Sequence, residues 1–354
     1  MNVRNTAQAD RTVGVWLLAC AATVLIMVVL GGVTRLTHSG LSITQWQPVA
    51  GVLPPRDEAG WLGEFERYQQ FPEYRQVNHG MSLAGFKSIY WFEYAHRLLG
   101  RLIGVVFLVP LLYFLTKGYV RRTLAPKLVI VFLLGAAQGA MGWFMVKSGL
   151  IDMPRVSHFR LTAHLALAVM IYGYMLWIAF ALLQGAQPKP TADRLGLPAR
   201  AIVALLFVMI LSGGLVAGTR AGLLFGTFPL MGDSFLPAGL YAASPFWVAA
   251  VEDPVTIQFN HRLLAYVVTA VLLWFGWSAR RQPMALSARR AIQLMLALLV
   301  VQIALGIGTI LFRVPVMLAA AHQGVAILLF GSALYVSHQL RGSVVTVAQA
   351  RYAT

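Results

Sequence analysis

Apolar residues along this 354-residue chain fall in long unbroken runs separated by short charged segments, not in the alternating or amphipathic patterns of a soluble domain. A bilayer core requires roughly 20 mainly apolar residues per helix. Eight stretches reach that length, at about 13–34, 91–116, 128–146, 159–184, 201–219, 255–278, 291–312 and 314–340. The first follows Arg4 and Arg11 as a signal peptide would. Its apolar part is too long, however, and Thr34-Arg35-Leu36-Thr37 offers no small-residue cleavage site, so it reads as a helix. The pattern predicts an all-α integral membrane protein with eight transmembrane helices.

The longest connection, 35–90, is not of low complexity. Asp57 and Glu58 precede Trp61, Phe65 and Tyr68, a helical stripe that predicts an amphipathic helix lying at the interface. An aromatic anchor in lipid is the favoured reading of that stripe, and a lid over a site is the alternative.

Composition sharpens the picture: 58% of residues are apolar and 11% charged, and 28 Lys+Arg against 12 Asp+Glu leave a net charge of +16. The cations sit in the connections. Loop 2–3 carries Lys117, Arg121, Arg122 and Lys127, loop 6–7 carries Arg280, Arg281, Arg289 and Arg290, and loop 4–5 carries Lys189, Arg194 and Arg200 against Asp193. Loop 5–6 instead holds Asp233, Glu252 and Asp253 with Arg220. Cation-rich short loops stay cytoplasmic, which places both termini inside and segments 35–90 and 220–253 outside. The charge is then a topology signal facing anionic membrane lipid, with no nucleic-acid partner implied. A single cysteine, Cys20, rules out an intrachain disulfide, a cysteine-rich metal site and covalent CxxCH haem attachment.

The chain repeats itself. Glu93-Tyr94-Ala95-His96-Arg97-Leu98-Leu99 returns as Gln258-Phe259-Asn260-His261-Arg262-Leu263-Leu264; Gln138 is matched by Gln302, His164 by His322, and Gly31-Gly32-Val33 by Gly213-Gly214-Leu215. Two four-helix halves follow, 1–184 and 185–354, related by an axis along the membrane normal. His96, His164, His261 and His322 lie about five to eight residues inside spans 2, 4, 6 and 8, at one level in the outer leaflet. An intramembrane histidine is costly unless it meets a partner or a cavity. Zinc would want further protein ligands and copper electron-transfer sites a thiolate, whereas paired imidazoles on facing helices suit the two axial positions of a haem.

Arg97 and Arg262 are then candidates for propionate pairing, or snorkel to headgroups. His38, His79, His158 and His338 lack repeat counterparts and read as surface residues. Gly135-Ala136-Ala137-Gln138-Gly139 is a GxxxG that predicts close helix approach, and Gln138 and Gln302 read as interhelical hydrogen-bond donors. The halves differ at one chemically telling position. Glu93, one turn before His96, is replaced by the amide of Gln258, which suggests chemistry in the first half and electron transfer in the second. A di-haem b-type electron carrier and a non-enzymatic haem exporter or chaperone compete with an enzyme, although a carrier usually stacks haems toward both faces.

Gly31-Gly32-Val33-Thr34-Arg35-Leu36-Thr37 with Ser39-Gly40-Leu41-Ser42, Glu93-Tyr94-Ala95-His96-Arg97, His164, Asn260-His261-Arg262 and His322-Gln323 together resemble the heme A synthase family, of the alphaproteobacterial and mitochondrial type, over essentially the whole chain. The outer-loop cysteine pair of Bacillus-type members is absent. The resemblance implies oxidation of a ring methyl of heme O to a formyl group, giving heme A for cytochrome oxidase. It further implies haem b as cofactor on His261 and His322 with Arg262 nearby, and heme O facing His96 and His164 beside the acid Glu93. An inner-membrane location, and heme O synthase and cytochrome oxidase assembly factors as partners, complete the expectation.

Overall fold

A computed structural model describes residues 3–46, 50–151, 154–184 and 193–341. Among these residues there are eleven α-helices and no strand: α1 (Val3–Leu36), α2 (Glu58–Gln69), α3 (Pro72–Gln76), α4 (Leu83–Thr116), α5 (Ala125–Lys147), α6 (His158–Gln184), α7 (Asp193–Thr219), α8 (Phe246–Glu252), α9 (Pro254–Arg280), α10 (Leu286–Leu311) and α11 (Val316–Gln339). Eight of them, α1, α4, α5, α6, α7, α9, α10 and α11, are long and apolar enough to cross a membrane. The eight predicted spans are therefore found. Lys189 of loop 4–5 lies outside the described residues.

Helix ends differ from the hydropathy boundaries where capping chemistry takes over. The second span starts at Leu83, eight residues earlier than the apolar run suggests, because the Ser82 side chain accepts a hydrogen bond from Gly85 N. The last span starts at Val316, after Pro315 and two residues of positive φ, Arg313 and Val314. α9 is capped by the Asp253 carboxylate, which accepts from Val255 N and Thr256 N, with Pro254 in the first turn.

Helices α1, α6, α7 and α11 form the centre of the bundle, α4 and α5 flank one side and α9 and α10 the other. Val13, Leu17, Cys20 and Val24 of α1 pack into one continuous apolar core with Val169, Met175 and Ala179 of α6, Ile202 and Leu206 of α7, and Ile327 and Ala333 of α11. α5 is peripheral, burying only Leu128 and Val131.

Segments 37–46, 50–82 and 220–253 lie at one end of the bundle, the capped end. Here the lipid-anchor reading of the aromatic stripe is overturned. Trp61, Phe65 and Tyr68 are all buried and turn into the protein, with ring centroids 4.9 Å (Trp61–Tyr90), 5.1 Å (Phe65–Phe86) and 5.2 Å (Tyr68–Phe86) from residues of α4. The extra turns of α4 supply the partner face, so the stripe is satisfied by protein before lipid can compete for it.

Behind this cluster lies a buried acid. Glu73 accepts a hydrogen bond from the Tyr68 hydroxyl at 3.4 Å, and Tyr68 in turn accepts one from Asn78 Nδ2 at 2.7 Å. Burial pushes the Glu73 carboxyl up from 4.5 to about 8, the nearby Glu93 adding to the effect while the Tyr68 hydrogen bond and Arg220 oppose it. The folded cap holds a proton that the unfolded chain releases above 4.5, so cap stability falls as pH rises from there through about 8. The Trp61 contribution to fluorescence, obtained by difference from Trp61→Phe, should shift to the red as pH passes 8 in the native protein and stay constant in Glu73→Gln. Identical pH profiles in the two proteins would overturn this assignment.

Candidate functional site

α4 carries Glu93, His96 and Arg97, α6 carries His164, α9 carries Gln258, His261 and Arg262, and α11 carries His322. His164, His261 and His322 sit six or seven residues from their helix starts, which is about 9–10 Å at the helical rise. His96 is farther along its helix because the first turns of α4 belong to the cap. His96 lies within electrostatic reach of His164, and His261 within reach of His322.

Each imidazole is seated against a glycine of a neighbouring helix. A Cβ on Gly31 would fall 2.9 Å from His96 Cε1, one on Gly142 3.0 Å from His164 Cε1, one on Gly213 3.4 Å from His261 Cε1, and one on Gly306 2.9 Å from His322 Cε1. At Gly31, Gly142 and Gly306 a Cβ would crowd the ring, whereas at Gly213 it would just touch it. Gln138 Nε2 donates to the His164 carbonyl at 3.1 Å and lies 3.4 Å from its Nε2, while Gln302 Nε2 lies 3.3 Å from His322 Nε2. The predicted interhelical role of both glutamines holds. The second glycine of each pair serves a different contact: a Cβ on Gly32 would collide with Gln323 Oε1, and one on Gly214 would lie 3.0 Å from Thr162 Oγ1. Gln323 also donates to Val28 O at 2.8 Å.

The rings differ in their second contacts. His261 Nδ1 is hydrogen-bonded to the Ser212 hydroxyl at 3.1 Å. In the repeat register Ser212 corresponds to Leu30, and His96 Nδ1 is buried without a hydrogen-bond partner, as are the Nδ1 atoms of His164 and His322. Such a fixed Nδ1 contact orients an imidazole and leaves Nε2 as its ligating atom.

Both arginines anchor the capping segments. Glu93 is buried, and Arg97 donates to its Oε1 through Nε (2.9 Å) and Nη2 (2.7 Å), while Ser42 Oγ and Ile43 N each donate to Oε2 at 2.8 Å. Arg97 also donates to the carbonyls of Ile43 (2.6 Å) and Gln45 (2.9 Å). Arg262 holds the second capping segment alike, donating to the carbonyls of Phe225 (2.9 Å), Thr227 (2.9 Å) and Leu230 (3.0 Å), with Gln258 Nε2 donating to Phe225 O at 3.1 Å. Its Nε is buried without a partner. Arg35 Nη1 of α1 donates to Ala217 O of α7 at 3.0 Å, and between the two capping segments Arg220 Nη2 donates to His38 Nδ1 at 3.1 Å. Both contacts join residues 182 positions apart, the spacing that separates Gly31 from Gly213. Burial and the two arginines push His38 down from the usual imidazole range.

Of the remaining histidines, His38 and His79 are exposed as expected and His158 is half-buried against Gly218. His338 is not a surface residue. It is 1% exposed and hydrogen-bonded through Nδ1 to Gln184 Oε1 at 3.0 Å, because the ends of α6 and α11 pack together there. The GxxxG of α5 also departs from expectation, since a Cβ on Gly135 or Gly139 would meet nothing within 4 Å. An apolar cavity of about 340 Å³ lined by Tyr172, Leu176, Leu298, Leu328 and Tyr335 lies toward the other end of the bundle and touches none of the four histidines. Sequence reasoning missed Ser212 and Glu73, and named Ser42 only as part of a motif, without a role. For Ser212 a signal existed, its position immediately before the second Gly-Gly, where the first half has Leu30.

Residues 14–334 match the COX15-CtaA family, described as cytochrome oxidase assembly protein. Proteins named heme A synthase are similar over nearly their whole lengths. That of Nitrosospira multiformis is 51% identical over 335 residues, 94% of each chain. That of Parvibaculum lavamentivorans is 46% identical over 340 residues, 96% of this chain and 97% of the relative. That of Paramagnetospirillum magneticum is 49% identical over 346 residues, 94% of each.

The Glu93 clamp yields its own prediction. Arg97→Gln leaves a buried carboxylate with Ser42 and Ile43 alone, and removing one partner of a buried pair costs about 3–5 kcal/mol. The detergent-solubilised variant should lose thermal stability, and segment 39–46 should become protease-sensitive. Wild-type proteolysis with unchanged melting would show that the clamp does not hold the cap.

Proposed function

The chain belongs to the COX15-CtaA family of cytochrome oxidase assembly proteins, and on that premise we propose that it is a heme A synthase, oxidising a ring methyl group of heme O to a formyl group to give heme A for cytochrome oxidase. The observation that carries this reading is the pair of glycine-seated imidazole sets, equivalent in framework and different in the groups around them. The electron-carrier and exporter readings are not favoured by the relatives.

The second half, His261 and His322, holds haem b as cofactor. The residues present suit it: glycines 213 and 306 clear a space that a Cβ would narrow, Ser212 fixes one ring, and the buried unpartnered Arg262 Nε is a donor free for a propionate. Haem b supplies one-electron redox chemistry when bound there. The first half, His96 and His164, receives the substrate heme O, and Glu93 stands one turn from His96. Taking a ring methyl to a formyl group removes four electrons and, counted with water as the oxygen source, four protons, and adds one oxygen atom. An external electron acceptor and a source of oxygen, dioxygen or water, must therefore reach the substrate, and positive charge builds at that carbon as electrons leave. A carboxylate fixed by four donors keeps a negative group in one place without reorganisation, which is how charge development is stabilised in a site shielded from water. Arg97, Ser42 and Ile43 hold it there and tie segment 39–46 beside it. The capped end faces the outside of the inner membrane, as the cation-rich turns at the opposite end support. Heme O synthase, as supplier, and cytochrome oxidase assembly factors are the corresponding partners.

Aerobic incubation of the purified protein with heme O and a reductant, followed by pigment chromatography, should yield a formyl haem. Its absence would overturn the function. In the same preparations His261→Ala or His322→Ala should deplete the b-type haem and His96→Ala should spare it, measured by pyridine hemochrome. Equal depletion in all three would remove the division of labour.

Glu93→Gln does not simply copy Gln258, because an amide nitrogen would confront donors that Glu93 accepts from. It should lower turnover on the order of 10²–10³, the effect of removing one charge-stabilising group. Ser42→Ala keeps the charge and should cost about five-fold, the ~1 kcal/mol of one hydrogen bond. Equal losses in both variants would make Glu93 a loop anchor only.

A further inference from the structure

The two halves differ most in side-chain volume along one stripe of each flanking helix. Aligned on Gln138 and Gln302, α5 reads Leu134-Gly135-Ala136-Ala137-Gln138-Gly139 and α10 reads Leu298-Leu299-Val300-Val301-Gln302-Ile303. Gly135, Gln138, Gly139 and Gly142 are spaced i, i+3, i+4 and i+7, so they share one helical face. The contacts of Gln138 and Gly142 with His164 turn that face toward the histidine compartment. On α4, His96, Gly100 and Gly104 form a second stripe of one face, where α9 carries His261, Ala265 and Thr269.

A Cβ on Gly104, Gly135 or Gly139 would meet nothing within 4 Å, and one on Gly100 would meet only Met27 Cε at 3.5 Å. In the second half the equivalent of Gly135, Leu299, is 3% exposed and packed into the core. Close helix contact, the usual reason for such glycines, does not explain them here. The same compartment contains buried polar atoms without partners, His96 Nδ1, His164 Nδ1 and Gln138 Oε1. Both stripes run from the histidines away from the capped end, over seven to eight residues, which is about 10–12 Å deeper into the bundle.

We infer that Gly100, Gly104, Gly135 and Gly139 form a slot between α4 and α5 for the long apolar isoprenoid chain of the substrate haem, and that the larger side chains at the equivalent positions of the second half, Ala265, Thr269, the core residue Leu299 and the more exposed Ile303, narrow the corresponding space. This rests on the functional reading above and adds its selectivity. A haem with a farnesyl-type tail enters the first half, and a tail-less haem suits the second. The slot directs the tail into the hydrocarbon depth while the macrocycle stays at the level of His96 and His164. An apolar wall of this kind discriminates by volume, since a side chain standing in the slot and the tail cannot share it.

The test uses the full-length protein with its resident haem, in detergent, titrated spectroscopically with heme O and separately with protohaem, which has no tail. Gly135→Leu with Gly139→Ile installs the second-half residues. It should weaken heme O binding on the order of 10–200-fold, the range over which apolar pockets discriminate, and leave protohaem binding and resident haem content unchanged. Ala136→Val with Ala137→Val installs the other two second-half residues away from the slot face and should change neither titration. Gly104→Thr narrows the slot from α4 and should repeat the selective loss should the α5 variant not fold. Undiminished heme O binding, or equal weakening of heme O and protohaem, would overturn the slot. Failure of the unsubstituted protein to bind or oxidise heme O would overturn the functional reading instead.

Discussion

Four imidazoles held within the apolar span of a bundle set the terms for the rest of this molecule. A polar ring facing hydrocarbon is costly, so each must be enclosed by protein with its ring nitrogens turned to a partner or a compartment. Enclosure demands that a neighbouring backbone come within van der Waals reach of the ring, and Gly31, Gly142, Gly213 and Gly306 are the places where it does. The Gly-Gly pairs of α1 and α7 perform two tasks at adjacent positions. The first glycine seats a histidine of its own half, and the second admits Gln323 or Thr162 from the other half. This is why α1 and α7, which carry no histidine, lie at the centre with α6 and α11.

On this shared framework the halves diverge in the groups around their histidines, as the proposed retained and exchanging haems would require. His261 is tied by Ser212, while His96 faces Leu30 in the same register. A fixed ring favours permanent ligation. Arg262 and Gln258 hold their capping segment through carbonyls alone, whereas Arg97 holds its own through a buried ion pair with Glu93. The acid anchors segment 39–46, and under the proposed function it also presents a fixed negative charge to the substrate. The open glycines of α4 and α5 belong to the same contrast.

The capped end concentrates the ionisable groups that the spans exclude. Glu73 stands among aromatic rings, within electrostatic reach of Glu93 and Arg220, and Arg220 is bonded to His38. Arg35 joins α1 to α7 and Arg220 joins the two capping segments, both between positions that correspond in the sequence repeat. Cap, clamp and junction form one polar layer above the histidines, with the Trp61–Phe65–Tyr68 cluster packed beside it.

The eight spans, the histidines and the glutamines beside them were legible in the chain, because a bilayer forces long apolar runs and makes every polar residue within them conspicuous. So was the departure at Glu93, since a repeat displays its own exceptions. The aromatic stripe at 61–68 announced an amphipathic helix, but whether lipid or protein covers such a face depends on what the fold brings opposite it, and that was the extended start of α4. Arg97 and Arg262 were visible as cations near a membrane surface, and only folding showed that the capping segments return to place carbonyls within their reach. His338 looked superficial from its place at a helix end, and became core when α6 and α11 met there. The GxxxG of α5 announced helix contact and received none. Periodicity and polarity are properties of a single segment and survive without knowledge of its neighbours. Which surface covers a face, which carbonyl meets a guanidinium and which glycine stays open are properties of pairs of segments, and are decided only when the helices pack.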